Sequence, residues 1–529
     1  MVDALYRAPT DAQEADPRMN PRIDLKRPTG GILSALLPVE RAAWALFLLF
    51  LPVTSFPFMP SALGGGALVR PLSLYPLIIL LIITTIPALV RRPVPKTLIA
   101  LLPFVLIAVG SSVISLLQDI DPALGIPVSE RIVRALVTLA IGAAIYATVV
   151  LTPRSAEALR SSLRWLYAGF SLALIWGSLQ AVYIVYYSQE YFRLLQKVQR
   201  LISIRKLFTT RISGMTYEPN WFAEQISLML VPWLLASVLT GTSVFRWRWR
   251  WLTIEWILLV WSVAVLVFTF SRAGIANLFA LFFLAVLFFR PRPHGAVRFK
   301  PASTRTWVIR LFEATIALVL LAGVIYIAGA RNEFFSRIWS YWTEKKQRSL
   351  SGYFEYLGFG ARLTYGDTAF AVYSDHPLLG VGLGNYVYYF EENLPDTSLA
   401  ETPEILRIVT PDPGRNRLIT PKNFYYRLLS ETGVIGLAAF LAFVAAVLGC
   451  ALYLWLSPVR EEKYWGTAGL LGLFAFIFAA ISFDSFALPN MWVVFGLITA
   501  STWVFFRQPD HPQIPIQHIG EAKTEDINE

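Results

Sequence analysis

Residues 433–456 read GVIGLAAFLAFVAAVLGCALYLWL, a stretch with no charged side chain. As a helix it would be about 36 Å long, enough to cross the ~30 Å hydrocarbon core of a bilayer. Runs of similar character recur along the 529 residues. Charged residues make up only 15% of the chain, against about 25% in a soluble domain. Mean hydropathy is +0.54. Water cannot accommodate that much apolar surface, so the chain reads as an all-α polytopic membrane protein. Membrane β-strands would be near ten residues and alternating, which excludes a β-barrel.

About twelve transmembrane helices are expected, at 42–59, 71–90, 97–117, 132–152, 165–187, 221–240, 252–270, 274–289, 308–329, 433–456, 466–482 and 490–506. Basic residues orient them. Arg91, Arg92 and Lys96, then Arg154, Arg160 and Arg164, then Arg246, Arg248 and Arg250, then Arg290, Arg292, Arg298, Lys300 and Arg305 all fall on one side. That side is expected to be cytoplasmic. Segments 118–130 and 483–489, without Lys or Arg, fall opposite. The organisation is then a cytoplasmic tail (1–40), nine spans within 41–330, a large periplasmic loop (331–423), three spans within 424–506 and a cytoplasmic tail (507–529). No cleavable signal peptide is evident. The net charge of +11 reports topology before it reports nucleic acid, and no nucleic-acid partner is expected.

Cys450 is the single cysteine, which excludes an intramolecular disulfide and a Cys-based zinc site. No two histidines have metal-ligand spacing, and neither a P-loop nor a dinucleotide fingerprint is present. No cofactor is expected.

Two outer segments depart from the short-loop pattern. Segment 189–218 holds Arg193, Lys197, Arg200, Arg205, Lys206 and Arg211 against Glu190 and Glu218. It reads either as an amphipathic helix on anionic headgroups or as a surface for an anionic substrate. The loop 331–423 is rich in aromatics, among them Phe334, Phe335, Trp339, Tyr341, Trp342, Tyr353, Phe354 and Tyr356. Aromatic content argues against disorder, and a folded, partly helical cap is expected. Its rings suit sugars or packing on the membrane surface.

Five places carry candidate chemistry. Arg272, in TFSRAGIAN, lies in a tight turn near the bilayer, where a cation is costly unless paired or wet. It either snorkels or binds phosphate through its fork. Arg211 and Glu218 lie in RISGMTYEPNW. Pro219 suits a first helical position, and Glu218 is either a cap or a proton acceptor. In ITPKNFYYRLLSETGVIG, Thr420 and Pro421 predict a helix start, with Lys422 in its first turn. A cation there opposes the macrodipole, so Lys422 either points to water or completes an anion cradle. Arg427 and Glu431 are spaced to pair, and Gly433 and Gly436 to allow close helix packing. In DHPLLGVGLGNY (375–386), Gly380, Gly382 and Gly384 allow a turn or close backbone approach. Asp484, between the last spans, is a candidate acid or base.

These stretches resemble the O-antigen ligase and Wzy-type polymerase family of bacterial membrane glycosyltransferases. FSRAGI (270–275), DHPLLGVGLGNY and KNFYYRLLSETGVIG (422–436) stand in the family's order around a large outer loop, and Arg362 falls where the family has an Arg ahead of the DHP-like segment. The resemblance implies a GT-C-like fold in the bacterial inner membrane and an inverting, metal-independent transfer. The donor would be a glycan on undecaprenyl pyrophosphate, and membrane lipids and other polysaccharide-assembly membrane proteins would be partners. Arg211, Arg272, Arg362 and Lys422 then become pyrophosphate ligands. Asn423, His376 and Tyr426 become glycan or acceptor contacts, and Glu218, Lys422 and Asp484 catalytic candidates. The family has His-Asn where this chain has Lys422-Asn423. An ordinary lysine, with a pKa of about 10.4, cannot take a proton at neutral pH, although cations such as Arg415 and Arg417 could lower it. Polymerisation of lipid-linked repeat units leads over ligation of finished glycan to lipid A–core or protein. A lipid-linked glycan transporter is the reading from another class. Transporters usually show internal repeats and broken helices at mid-membrane, and no repeat is visible here.

Overall fold

The computed structural model describes residues 32–60, 68–250, 252–288, 304–330, 332–344, 348–395, 403–410 and 418–507. Arg290, Arg292, Arg298, Lys300, Arg415, Arg417 and the two tail segments 1–31 and 508–529 lie outside these. The first half builds α1 (Ile32–Leu49), α2 (Leu74–Leu80) continued through a π turn into α3 (Ile86–Arg91), α4 (Lys96–Ser115), α5 (Val128–Leu151), α6 (Ala156–Val185) and α7 (Gln189–Ile202). Next come α8 (Pro219–Gln225), continued through a second π turn into α9 (Val231–Thr240), a hairpin of β1 (Arg248–Trp249) and β2 (Leu252–Thr253), α10 (Ile254–Phe268), α11 (Arg272–Phe288) and α12 (Thr304–Gly329). Short helices α13 (Glu333–Glu344), α14 (Leu350–Tyr356), α15 (Gly360–Asp375) and α16 (Pro403–Val409) precede α17 (Phe424–Leu456), α18 (Arg460–Ala479) and α19 (Asn490–Phe506).

Six of these are long and apolar enough to cross a membrane: Leu74–Arg91, Lys96–Ser115, Val128–Leu151, Ala156–Val185, Pro219–Thr240 and Phe424–Leu456. Ile254–Phe268, Arg272–Phe288 and Asn490–Phe506 are apolar but shorter. The protein is thus a helical, multi-pass membrane protein, and of the twelve spans expected six are met by length and composition among the described residues. The first helix is also displaced from its expected place at 42–59. It ends at Leu49, because Pro52 follows and breaks the backbone ladder, and residues 50–60 turn back to form a bridge between Ser55 and Arg70.

The centre of the bundle is α18, α19 and the Pro219–Thr240 helix, whose Trp465, Trp492 and Trp233 are fully buried. Segment 331–423 is partly helical where described and has its own apolar core of Tyr365, Ala369, Val372, Tyr386, Phe390 and Ile405. The Tyr341 ring meets those of Tyr353 and Tyr356, each tilted at 5.4 Å, so these rings are taken up in packing.

One break organises one end of the bundle. Gly433 sits at φ 65°, ψ −172° and divides α17 into two helical parts. The break strands the carbonyls of Ser430 and Glu431 and the amides of Val434 and Ile435, which must find partners when buried. The DHPLLGVGLGNY segment supplies all four. Val381 N–H donates to the Ser430 carbonyl and Gly382 N–H to that of Glu431, each at 2.9 Å. The Pro377 carbonyl accepts from Val434 at 2.8 Å and the Leu378 carbonyl from Ile435 at 3.3 Å. Gly380, at φ 65°, lies so close that a Cβ would stand 2.6 Å from the Ser430 carbonyl oxygen. The expected close backbone approach is therefore to α17 itself.

Gly433→Ala forces a side chain into a left-handed position costing about 1–2 kcal/mol and drives its Cβ into the Leu378 carbonyl. A lower thermal midpoint in detergent is expected, while Gly449→Ala, in open space in the same helix, should leave the midpoint unchanged or slightly raised. Equal midpoints for all three proteins would refute the role of the break.

Candidate functional site

The segment after α7 is pinned by one buried side chain. Gln180 of α6, fully buried, accepts from the Ser213 and Gly214 amides and donates to the Gly214 carbonyl, all at 3.0 Å. This holds Arg211 against the end of α10, where its Nε donates to the Thr269 carbonyl at 2.9 Å and its Nη2 to Asn220 Oδ1 at 2.8 Å. Burial pushes the Arg211 guanidinium down to about 10, Glu218 opposing and Arg272 adding to the shift, so Arg211 remains a cation at neutral pH. Glu218 takes the N-cap position of α8, with Pro219 following, yet its side chain makes no capping hydrogen bond. Gly274 of α11 lies against Ala223 of α8, and this close crossing sets Arg272 beside the same helix start. Arg272 Nη1 donates to the Leu357 carbonyl of the cap segment. Arg272 thus contacts protein, where snorkelling to water was the alternative.

The basic stretch 189–218 divides in two. Residues 189–202 form α7, with Arg193, Lys197 and Arg200 exposed on one face and Leu195 and Gln199 buried against the bundle. This half fits the amphipathic-helix reading. Residues 203–218 form the irregular segment that carries Arg211 and lines a cavity of about 470 Å³ through Arg205, Lys206, Phe208 and Tyr217.

The second group forms at the start of α17. The expected start at Thr420 and Pro421 is wrong: the cap is Asn423, whose Oδ1 accepts from the Tyr425 amide at 2.9 Å and the Tyr426 amide at 3.2 Å. Asn caps helices better than the residues around it, and its position three residues later leaves Lys422 outside the helix. Lys422 has φ 53°, a strained value for a non-glycine residue. Asp484 Oδ2 stabilises it by accepting its backbone N–H at 2.7 Å. The Lys422 Nζ pairs with Glu404 at 2.6 Å and stands 4.7 Å from the centre of the Tyr365 ring. Burial tends to raise the Glu404 carboxyl, but Lys422, Tyr365 and Arg362 outweigh it and hold Glu404 below the usual range. Arg362 therefore belongs with this group. Beneath it, Arg427 Nε pairs with Glu431 at 2.9 Å, both buried, and Arg427 donates to the Asp484 carbonyl. The expected Arg427–Glu431 pair is present.

The two groups share one end of the bundle, and Glu224 lies between them. It is buried six residues beyond Glu218, accepts from Asn490 Nδ2 at 2.6 Å, and interacts electrostatically with Asp484. Two of the four non-glycine residues with positive φ, Phe270 and Lys422, flank these groups among the described residues. Such strain tends to gather at functional sites. His376 is not brought in. It follows the last turn of α15, about 16 Å along the helix axis from Tyr365, and its ring meets Tyr389 at 5.4 Å. Tyr426 packs on Gly366 of α15, one residue from Tyr365. Sequence reasoning missed Tyr365, Glu404 and Glu224. Glu224 had a signal, being a carboxylate inside an apolar run. Tyr365 and Glu404 had none, because only folding of the cap carries them to Lys422.

Residues 257–441 match the family model described as O-antigen ligase. The matched part includes Arg272, Arg362, the glycine segment and Lys422 through Glu431, and stops short of Arg211, Glu218 and Asp484. No curated protein matches the chain. With its apolar helices and its ordered motifs, the chain is similar to the O-antigen ligase family over residues 257–441.

Proposed function

We propose that the protein polymerises oligosaccharide repeat units carried on undecaprenyl pyrophosphate, building an O-antigen or exopolysaccharide at the periplasmic face of a bacterial inner membrane. Both termini would be cytoplasmic, with twelve spans in a GT-C-like arrangement. The observation that supports this reading is the convergence of Arg211 and Arg272, from separate elements, beside Glu218 at one end of the bundle. A leaving pyrophosphate needs fixed positive charge where negative charge develops.

In this scheme an acceptor hydroxyl oxygen attacks the anomeric carbon of the donor's reducing-end sugar. The bond from that carbon to the pyrophosphate oxygen breaks and configuration inverts. The electron pair leaves with the pyrophosphate, held by Arg211 and Arg272, with Arg362 and Lys422 as further cations. The hydroxyl proton passes to a carboxylate, Glu218 or Asp484. Tyr426 and Asn423 face the glycan. His376 is left out because of its distance from Tyr365. The scheme uses neither metal nor nucleotide sugar.

The description of the matching family as a ligase supports a second reading, transfer of finished glycan to lipid A–core or protein. A deletion strain separates the two. Glycans one repeat long indicate a polymerase, whereas accumulated undecaprenyl-linked polymer indicates a ligase.

Arg272→Lys keeps charge but loses the planar fork. Turnover is expected to fall, and Arg272→Ala to lose about 10²-fold or more, at normal expression. Wild-type rates in both Arg272→Ala and Arg211→Ala would remove the pair from the site.

The pairing of Lys422 with Glu404 at 2.6 Å supports the cation role, so Lys422→Arg should retain most activity. Lys422→His should lose it near neutral pH, where imidazole is mostly uncharged. The opposite order in an in vitro assay on lipid-linked repeat would make Lys422 the proton acceptor. Asp484→Asn preserves an acceptor for the Lys422 amide and should fold normally. A rate loss of about 10²–10⁴-fold would identify Asp484 as the base, and full activity would pass that role to Glu218.

A further inference from the structure

A cavity of about 660 Å³ lies far from these groups, between the starts of α6 and α18 and the end of α9. α18 runs from this cavity to the outer groups, about 30 Å away at 1.5 Å per residue. Arg160, Arg164, Arg246 and Arg460 line it, with Glu157 and Glu461. Both carboxylates are engaged. Arg160 Nε donates to Glu461 at 2.7 Å, and Arg164 pairs with Glu157 at 2.8 Å. Arg460 instead donates to the Thr240 carbonyl at 2.9 Å and to the Gly241 carbonyl. Among the described residues no carboxylate pairs with Arg460 or Arg246. Two guanidinium charges at this cavity are therefore uncompensated.

A hairpin borders the same cavity. β1 and β2 pair with Arg248 opposite Thr253 and Trp249 opposite Leu252. Side chains alternate along a strand and paired residues share a face. Trp249 and Leu252 thus lie on one face, and Arg248 and Thr253 on the other. Trp247 is 48% and Trp249 64% exposed, an exposure a water-facing surface would disfavour. The hairpin joins the ends of two apolar helices, α9 and α10, which keeps it at the membrane surface. There tryptophan is favoured, one side of its ring apolar and the other wet.

We propose that this hairpin and cavity bind an anionic glycerophospholipid. The phosphate sits against Arg246, whose planar fork matches its oxygens, with Arg460 as a second cation beside it, and Trp247 and Trp249 pack on the glycerol and upper acyl region. Charge complementarity selects an anionic lipid over a zwitterionic one. The site is independent of the outer groups and of the glycan reading.

Native mass spectrometry on the full-length protein, released from detergent with added phosphatidylglycerol, tests this. Wild type should retain one lipid molecule with an affinity on the order of ten-fold above that for phosphatidylcholine, a difference of 1.4 kcal/mol. Arg246→Gln should abolish the preference. Arg246 is exposed, so the variant should keep the wild-type thermal midpoint. Trp247→Ser with Trp249→Ser should lose quenching of tryptophan fluorescence by brominated phosphatidylglycerol. Equal retention of both lipids, a preference unchanged in Arg246→Gln, or quenching unchanged in the tryptophan variant would overturn the proposal. So would full occupation of the site by inorganic phosphate alone, which would make it a soluble-anion site.

Discussion

The break in α17 at Gly433 is the constraint on which the end of the bundle with the charged groups depends. A helix interrupted beside a bilayer exposes backbone groups that hydrocarbon cannot satisfy. Here the segment from Pro377 to Gly382 satisfies them by pairing with both halves of the break. That repair inserts a cap segment between helices. Ser112 Oγ accepts from the Leu383 amide at 3.0 Å, and Arg131 Nε donates to the Gly384 carbonyl at 2.8 Å. The cap is thus fixed to α4, α5 and α17 together, and α15 and α16 are held over the start of α17.

Fixing the cap in this way assembles the charged groups. Glu404 and Tyr365 reach Lys422 only because α15 and α16 stand over Asn423 and Phe424. The buried Arg427–Glu431 pair then ties the short first part of α17 to the Asp484 turn. Removing one member of a buried pair costs about 3–5 kcal/mol, because the other charge is left without a partner. Strain at Lys422 is compatible with this frame, since Asp484 and Asn423 hold the residues on either side of its backbone turn.

The two ends of the bundle use arginine differently. At one end, Arg211 and Arg272 donate to the carbonyls of Thr269 and Leu357, at the ends of α10 and α14. At the other, Arg160 and Arg164 close on carboxylates and lock α6 to α18 and to the turn after α9. In both places the guanidinium fork makes two directed contacts where lysine would make one point-charge contact.

Hydropathy by itself determined the membrane class and the place of the long apolar helices after the first, because a helix in hydrocarbon must be apolar over its whole length and leaves a readable run. The order of the short motifs likewise pointed to the family. Helix starts were less legible. Pro421 and Asn423 both signal a beginning, and the choice fell to Asn423 because Asp484 and the left-handed turn at Lys422 carry the chain in at that point. The three glycines announced close approach without saying to what. Tertiary structure alone decided that the partner was α17, that His376 stands apart, and that Glu404, Tyr365 and Glu224 join the charged groups. Those contacts join residues tens to hundreds of positions apart, and no local period or spacing encodes them.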